Sequence, residues 1–396
     1  GGKIINPDLT AENQFSLREG GSNVGNSAFG TAVEVDGVRL GNNASFGDMG
    51  GVDTRSVAVE NIESIEVITG VPSAEYGDLS SGMVKINTRK GRTPVNLTFS
   101  VNPRTYQTSV SKGIDLQENN GVLNLSAEWA RAVKKLISPY ESYTRSGLTL
   151  SYSNTFAKVL RFEAGFTGNI GGMDSKDDPD AFTGEYEKER DNVFRGNTSL
   201  TWLLNKSWVT NLKLDASVNF NDNLYHYHKY ESYGSSQPAV HAEQEGYFLA
   251  ERLPLTYFSD QIIDSKELDF AASLKYNWHK RWDDMKSSLK AGVQWKANGN
   301  VGEGEYYQDP ALAANGYRPR PYSQYPFMHN LSVYAEEHLT MPVASTKLEV
   351  TAGLRLENVF IKNSLYNKKT TLSPRFNAKW QLSDGLSIRG GWGITE

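Results

Sequence analysis

The residues best suited to chemistry lie in the run Tyr225-His-Tyr-His228, followed by Tyr230, Tyr233 and His241. Two imidazoles at i and i+2 share a face only on an extended segment, where Tyr225, His226, Tyr227 and His228 can hold a metal or stack on a sugar. No third ligand is evident, and an ordinary solvated aromatic loop accounts for the same composition. Asp174, Asp177, Asp178, Asp180 and Glu185 form a second cluster, without the spacing of a calcium loop. The absence of cysteine removes disulfides, zinc knuckles and thiol nucleophiles. There is no Gly-x-Ser-x-Gly elbow, no His-Glu-x-x-His, no Walker loop and no dinucleotide fingerprint. The expectation is a protein that is not an enzyme and has no cofactor and no metal site.

The elements that would position these residues are legible from patterning. A net charge of -5 over 396 residues provides no basic stripe for nucleic acid. No apolar run approaches the roughly 18 residues of a membrane helix, which leaves strands as the route into a membrane. From about Val95 a period of two persists to the end of the chain. Leu268, Phe270, Ala272, Leu274, Tyr276 and Trp278 share one face, opposite Glu267, Asp269, Ser273, Lys275, Asn277 and His279. Leu348, Val350, Ala352, Leu354 and Leu356 repeat the pattern opposite Lys347, Glu349, Thr351, Arg355 and Glu357. Such segments predict about thirteen strands. A ten-residue strand tilted near 45° covers about 23 Å, close to the apolar band of an outer-membrane barrel.

Two further signals agree. The connections alternate long and short, with Gly171 to Arg190, Asn223 to Lys266 and Asn298 to His329 among the long polar ones. An up-and-down barrel with tight periplasmic turns and long extracellular loops produces that parity. All eight tryptophans avoid strand centres, as two interfacial belts require.

The first ninety residues differ, being rich in Gly, Asn and Ser around short apolar runs. Ala32-Val-Glu-Val-Asp-Gly-Val-Arg-Leu40, Asn61-Ile-Glu-Ser-Ile-Glu-Val-Ile-Thr-Gly70, Ser73-Ala-Glu-Tyr-Gly77 and Ser81-Gly-Met-Val-Lys-Ile-Asn-Thr-Arg-Lys-Gly91 stand in order. These four blocks resemble the plug domain of TonB-dependent outer-membrane receptors, in the version found in Bacteroidetes. Gly353-Leu-Arg-Leu-Glu357 and Leu372-Ser-Pro-Arg-Phe376 resemble the family's barrel.

The resemblance implies an all-β transmembrane antiparallel up-and-down barrel of 22 strands, about 13 of them present, around a small mixed α/β plug. The expected division is a plug over residues 1–91, lacking its first part, and barrel over 92–396, so the chain is expected to be a fragment or a processed form. It further implies an outer-membrane receptor that imports a scarce nutrient through energised plug rearrangement. Its partners would be a TonB-type protein of the inner membrane, the lipid bilayer, an extracellular nutrient and, as an open option, a surface lipoprotein, with no nucleic acid. Asn42, Asn43, Phe46, Asp48 and Arg55 fall where the family's plug presents an apical loop to ligand. The alternatives are a surface binding or adhesion protein, which has no need of a plug, and a barrel hydrolase, which needs a catalytic constellation that is not found.

Overall fold

The structure, a computed structural model, describes residues 9–10, 31–41, 52, 54–58, 61–68, 71–77, 82–117, 120–180, 183–232, 236–237, 244, 246–247, 251–313, 317–344, 346–363, 367–383 and 385–394. The N-terminal unit is a mixed sheet of β1 (Ala32–Val35), β2 (Val38–Arg39), β3 (Ile62–Ile68) and β4 (Met83–Thr88), in the order β2-β1-β4-β3. Asp36 and Gly37 both have positive φ, 50° and 85°, which the two-residue turn between β1 and β2 demands. Strand β4 runs parallel to β1 and antiparallel to β3. Val33, Val35, Leu40, Val52, Val57, Val84 and Ile86 close one core. Among the described residues there is no α-helix.

The remainder is one meander. Among the described residues its thirteen strands are β5 (Thr93–Val101), β6 (Thr105–Asp115), β7 (Val122–Val133), β8 (Glu141–Phe156), β9 (Leu160–Lys176), β10 (Tyr186–Lys206), β11 (Val209–Glu231), β14 (Tyr257–Trp282), β15 (Met285–Asn300), β17 (Met328–Val343), β18 (Thr346–Ile361), β19 (Lys369–Ser383) and β20 (Leu386–Gly393). Each pairs antiparallel with its neighbours along the chain, from β5 at one end of the path to β20 at the other. Two short strands, β12 (Ser236–Gln237) and β13 (Glu251–Arg252), pair in a loop, and β16 (Gly304–Tyr307) adds to β14.

Burial on this sheet is inverted relative to a water-soluble fold. Leu214, Phe270, Leu274, Val293, Val333, Leu354 and Phe376 are exposed, whereas Arg145, Arg195, Glu267, Glu336, Arg355 and Arg375 are buried. The apolar row faces outward, and the polar row faces the plug, as the period of two predicts. Glu267, Lys275 and Arg355 lie on the inner row. Every tryptophan within a strand sits on the outer row, in register with apolar neighbours such as Leu348 opposite Trp380 and Ala272 opposite Trp295.

The long connections are shorter than the sequence predicts, because the strands run on past the bilayer. Strand β14 has 26 residues, about 86 Å of chain and about 60 Å of height when tilted near 45°, twice a hydrocarbon core. Above the lipid neither face is apolar, so the alternation that marks a strand in sequence fades while the hydrogen-bonded ladder continues. Tyr225 to His228, read as a loop, therefore belong to β11, paired with β10 on one side and β14 on the other.

Candidate functional site

The polar inner face and the plug meet in two places. The first is the plug segment Val71-Pro-Ser-Ala-Glu-Tyr-Gly77. Arg355 on β18 is fully buried and donates through Nη1 to the carbonyls of Ala74 (3.2 Å) and Glu75 (2.9 Å). Its Nη2 donates to Ser332 Oγ at 2.7 Å and Glu357 Oε1 at 2.8 Å, which orients the guanidinium. Arg375 on β19 donates to the carbonyls of Pro72, Ser73 and Tyr76. Glu336 on β17 accepts from Ser73 Oγ (2.8 Å) and the Ala74 amide (2.7 Å). Lys275 on β14 reaches Glu75 Oε1 at 2.7 Å and Asp215 Oδ2 at 3.1 Å. A Cβ at Gly77 would lie 2.4 Å from Glu357 Oε1 and 2.8 Å from Arg355 Nη2, so a larger residue there would push this buried pair aside.

Electrostatics follow from this burial. Burial alone would raise the Glu75 carboxyl, but Lys275, the hydrogen bond to it and more distant lysines outweigh burial and hold it below the usual range. Lys85 is likewise pushed down by burial, yet Glu34 and Tyr76 raise it overall, with Nζ 2.6 Å from the Tyr76 hydroxyl. Both groups are therefore charged in the docked plug.

The second place is the turn around Arg55 and Ser56. Asn169 Nδ2 and Arg195 Nη2 both donate to the Ser56 carbonyl at 2.9 Å. Asn197 Nδ2 donates to the Asp36 carbonyl at 3.1 Å, and Lys90 stands 3.5 Å from both Asp36 and Glu163. Arg55 pairs with Glu189 at 3.0 Å and lies over the Tyr143 ring, whose hydroxyl donates to Asp191. Leu9 adds an apolar contact with Ala130, Ala132 and Tyr143. A mixed-sheet unit is thus held inside the inner face of an antiparallel meander by barrel side chains that grip its backbone.

The description "TonB dependent receptor-like, beta-barrel" matches residues 138–395, and "TonB-dependent Receptor Plug Domain" matches residues 4–84. The chain belongs to the TonB-dependent receptor family. It is accordingly a protein of the Gram-negative outer membrane, with β5 to β20 as wall and the N-terminal sheet as plug.

Solved structures share the fold. The siderophore receptor PirA from Acinetobacter baumannii is 17% identical over 91% of this chain and 52% of its own, with a TM-score of 0.58. The ferric enterobactin receptor PfeA of Pseudomonas aeruginosa is 16% identical over 91% and 53%, with a TM-score of 0.59. The ferric citrate transporter FecA is 11% identical over 92% and 53%, with a TM-score of 0.60. The chain thus spans about half the length of each receptor. No curated protein matches the sequence.

The sequence-predicted site residues separate into three groups. Asn42, Asn43, Phe46 and Asp48 lie outside the described residues. Arg55 is 4% exposed and joins the plug to the wall. The run Tyr225 to His228 is divided by its strand. Tyr225 and Tyr227 continue the inner row of Asn219, Asn221 and Asn223, with the Tyr225 hydroxyl donating to Glu187 at 3.1 Å. His226 and His228 point to the outer face, where both ring nitrogens meet Asp260 Oδ1, at 2.7 and 2.8 Å. There His228 is stacked between Tyr186 and Phe258, with ring centroids 4.7 and 4.6 Å away. Among the described residues no cluster of three His, Asp or Glu side chains is arranged to hold a metal ion.

Sequence reading overlooked Arg375, Glu336, Asn169, Arg195 and Asn197 as contact residues. The signal was available for all five: each is a polar residue on the inner row of a strand whose outer row is apolar.

Proposed function

We propose that the full-length protein is an active-transport receptor, in which a nutrient binds at the extracellular mouth and an energised inner-membrane partner of the TonB type pulls the plug to let it pass. In this reading residues 1–91 are the plug and 92–396 the first part of the barrel, and the protein performs no enzymatic step. The observation that carries the reading is the nature of the plug's attachment. It is held mainly by hydrogen bonds to plug carbonyls and by the ion pairs Lys275–Glu75 and Arg55–Glu189, contacts that water can replace once the plug begins to move. An apolar interface of that extent would have to be exposed to water at every cycle, at a cost that no new contact offsets.

The outer membrane has no nucleotide supply or ion gradient of its own, so the work must come from a partner. The names of the similar receptors, which refer to siderophores, ferric citrate and ferric enterobactin, agree with import as the common task. The test is uptake by cells carrying the full-length receptor, with and without the energising protein. Import should vanish without it while binding at the cell surface persists. Undiminished uptake in its absence would describe a passive pore and reject the proposal.

A further inference from the structure

One outer row of the wall contains a charge beside lipid. Strand β17 presents Leu331, Val333, Ala335, Glu337, Leu339 and Met341 outward, and register sets Glu337 between Leu289 of β15 and Ala352 of β18. A carboxylate next to hydrocarbon is costly unless it is paired, and it lowers that cost by reaching for the nearest interface. Glu337 does so. Its Oε1 accepts from the hydroxyl of Ser287, which lies opposite Leu339, two residues closer to the short periplasmic turn between β17 and β18. Among the described residues that hydroxyl is its only hydrogen-bond partner.

The carboxylate thereby comes to the level of the periplasmic tryptophan belt. Across Ser287 from it stands Lys280 of β14, flanked on the same outer row by Trp278 and Trp282. The two indoles meet edge-on at 5.9 Å, and Trp278 Nε1 is fixed by donating to the Ser207 carbonyl at 2.8 Å. Lys280 Nζ lies 5.0 Å from the centre of the Trp282 ring and forms no ion pair among the described residues. Lys280 and Glu337 are two strands apart, about 10 Å between backbones, and do not pair with one another. An acid and a base stand at headgroup level, and each lacks a countercharge.

We propose that this is a binding site for a zwitterionic phospholipid with a primary ammonium headgroup, phosphatidylethanolamine, in the periplasmic leaflet. Its ammonium donates to Glu337, its phosphate accepts from Lys280, and Trp278 and Trp282 give the glycerol region a flat apolar wall. The ethanolamine bridge sets the two charges apart as the protein does. Phosphatidylglycerol satisfies Lys280 but brings a second anion to Glu337, and a choline headgroup has no N–H to donate. The site lies on the lipid side of the wall, apart from the plug and from whatever the receptor carries, so it does not rest on the import reading.

The test strips the full-length receptor of lipid in detergent and follows, by native mass spectrometry, its binding of phosphatidylethanolamine, phosphatidylglycerol and phosphatidylcholine with identical acyl chains. Phosphatidylethanolamine should bind about tenfold or more tightly than the other two. Glu337→Gln should bring it down to the level of phosphatidylcholine, and Lys280→Ala should weaken phosphatidylethanolamine and phosphatidylglycerol alike. Lys286→Ala, which removes a cation from the inner row of the same hairpin, should change neither. Heat-modifiable mobility in gels shows that each variant is folded, and the comparison of lipids on the unaltered receptor decides even where a variant is not. Equal binding of the three lipids by the unaltered receptor overturns the proposal. So does a preference for phosphatidylethanolamine that survives Glu337→Gln.

Discussion

The segment 71–77 and the turn at 55–56 are both gripped through plug carbonyls, but the charges are distributed in opposite senses. At 71–77 the barrel supplies the cations, Arg355, Arg375 and Lys275, and the plug supplies carbonyls and Glu75. At the turn the plug supplies Arg55 and the barrel supplies Glu189, with the neutral donors Asn169 and Asn197 and the cation Arg195 holding backbone. The first place draws on β14, β17, β18 and β19, and two of its arginines are nearly inaccessible to solvent. The second relies more on neutral donors and lies nearer the extracellular mouth. The difference suggests an order of release under load, with the turn yielding first and the 71–77 segment holding until the plug is displaced.

The comparison breaks most sharply if the stronger region is locked. A Cβ at Gly353 would lie 2.9 Å from the Ala74 Cβ, about an ångström nearer than a disulfide prefers, so a small outward shift of the plug would suit a bridge. With no native cysteine in the chain, the pair Ala74→Cys and Gly353→Cys offers a clean cross-link. Oxidised receptor should lose energised uptake entirely, keep surface binding, and recover on reduction. Uptake that continues through the oxidised bridge would mean that this segment does not move.

Arg355→Ala should cost plug docking about 3–5 kcal/mol, because Glu357 would be left buried with no cation and only the Asn330 amide donating to it. Arg355→Met combined with Glu357→Leu should cost much less, which separates the loss of a grip from the stranding of a charge. Protease access to the plug in the assembled receptor reads both. By contrast Asn197→Ala removes one neutral hydrogen bond at the other place and should cost about 0.5–1.5 kcal/mol. Equal effects of Arg355→Ala and Asn197→Ala would erase the distinction between the two regions.

Much of the wall is readable in the residues alone, since lipid on one side and a wet lumen on the other impose a period of two that survives in the letters themselves. Leu268 to Trp278 and Leu348 to Leu356 announce their faces for that reason. Where lipid ends the constraint ends, and β11 and β14 continue through residues that read as loop. The grips are hidden for a different reason. Arg375 and Ser73 are some three hundred residues apart, and the partner of the guanidinium is a carbonyl, which every residue possesses. No side-chain pattern marks a carbonyl as gripped. The splitting of Tyr225 to His228 between two faces follows from alternation as soon as the segment is known to be strand.

The smallest expected effect is the dependence of docking on pH, and it too distinguishes the two regions. Glu75 lies below its ordinary value of 4.5 when docked, because Lys275 outweighs the penalty of burial. A depressed carboxyl contributes stability that is complete above its undocked value and is lost as pH falls through the docked one. Lys85 is raised above 10.5 by Glu34 and Tyr76 despite burial, but both partners belong to the plug and move with it, so that shift supports the plug itself and adds no pH dependence to docking. Above about 4.5 docking at 71–77 should be flat with pH, and below that value it should weaken. Glu75→Gln should flatten part of the acid slope of plug protection, measured as resistance to an acid-active protease from about pH 7 down to about pH 3, while Asn197→Ala should shift the whole curve without changing its shape. An acid slope identical in wild type and Glu75→Gln would place the titrating group elsewhere and leave the Lys275 pairing without a measurable share in holding the plug.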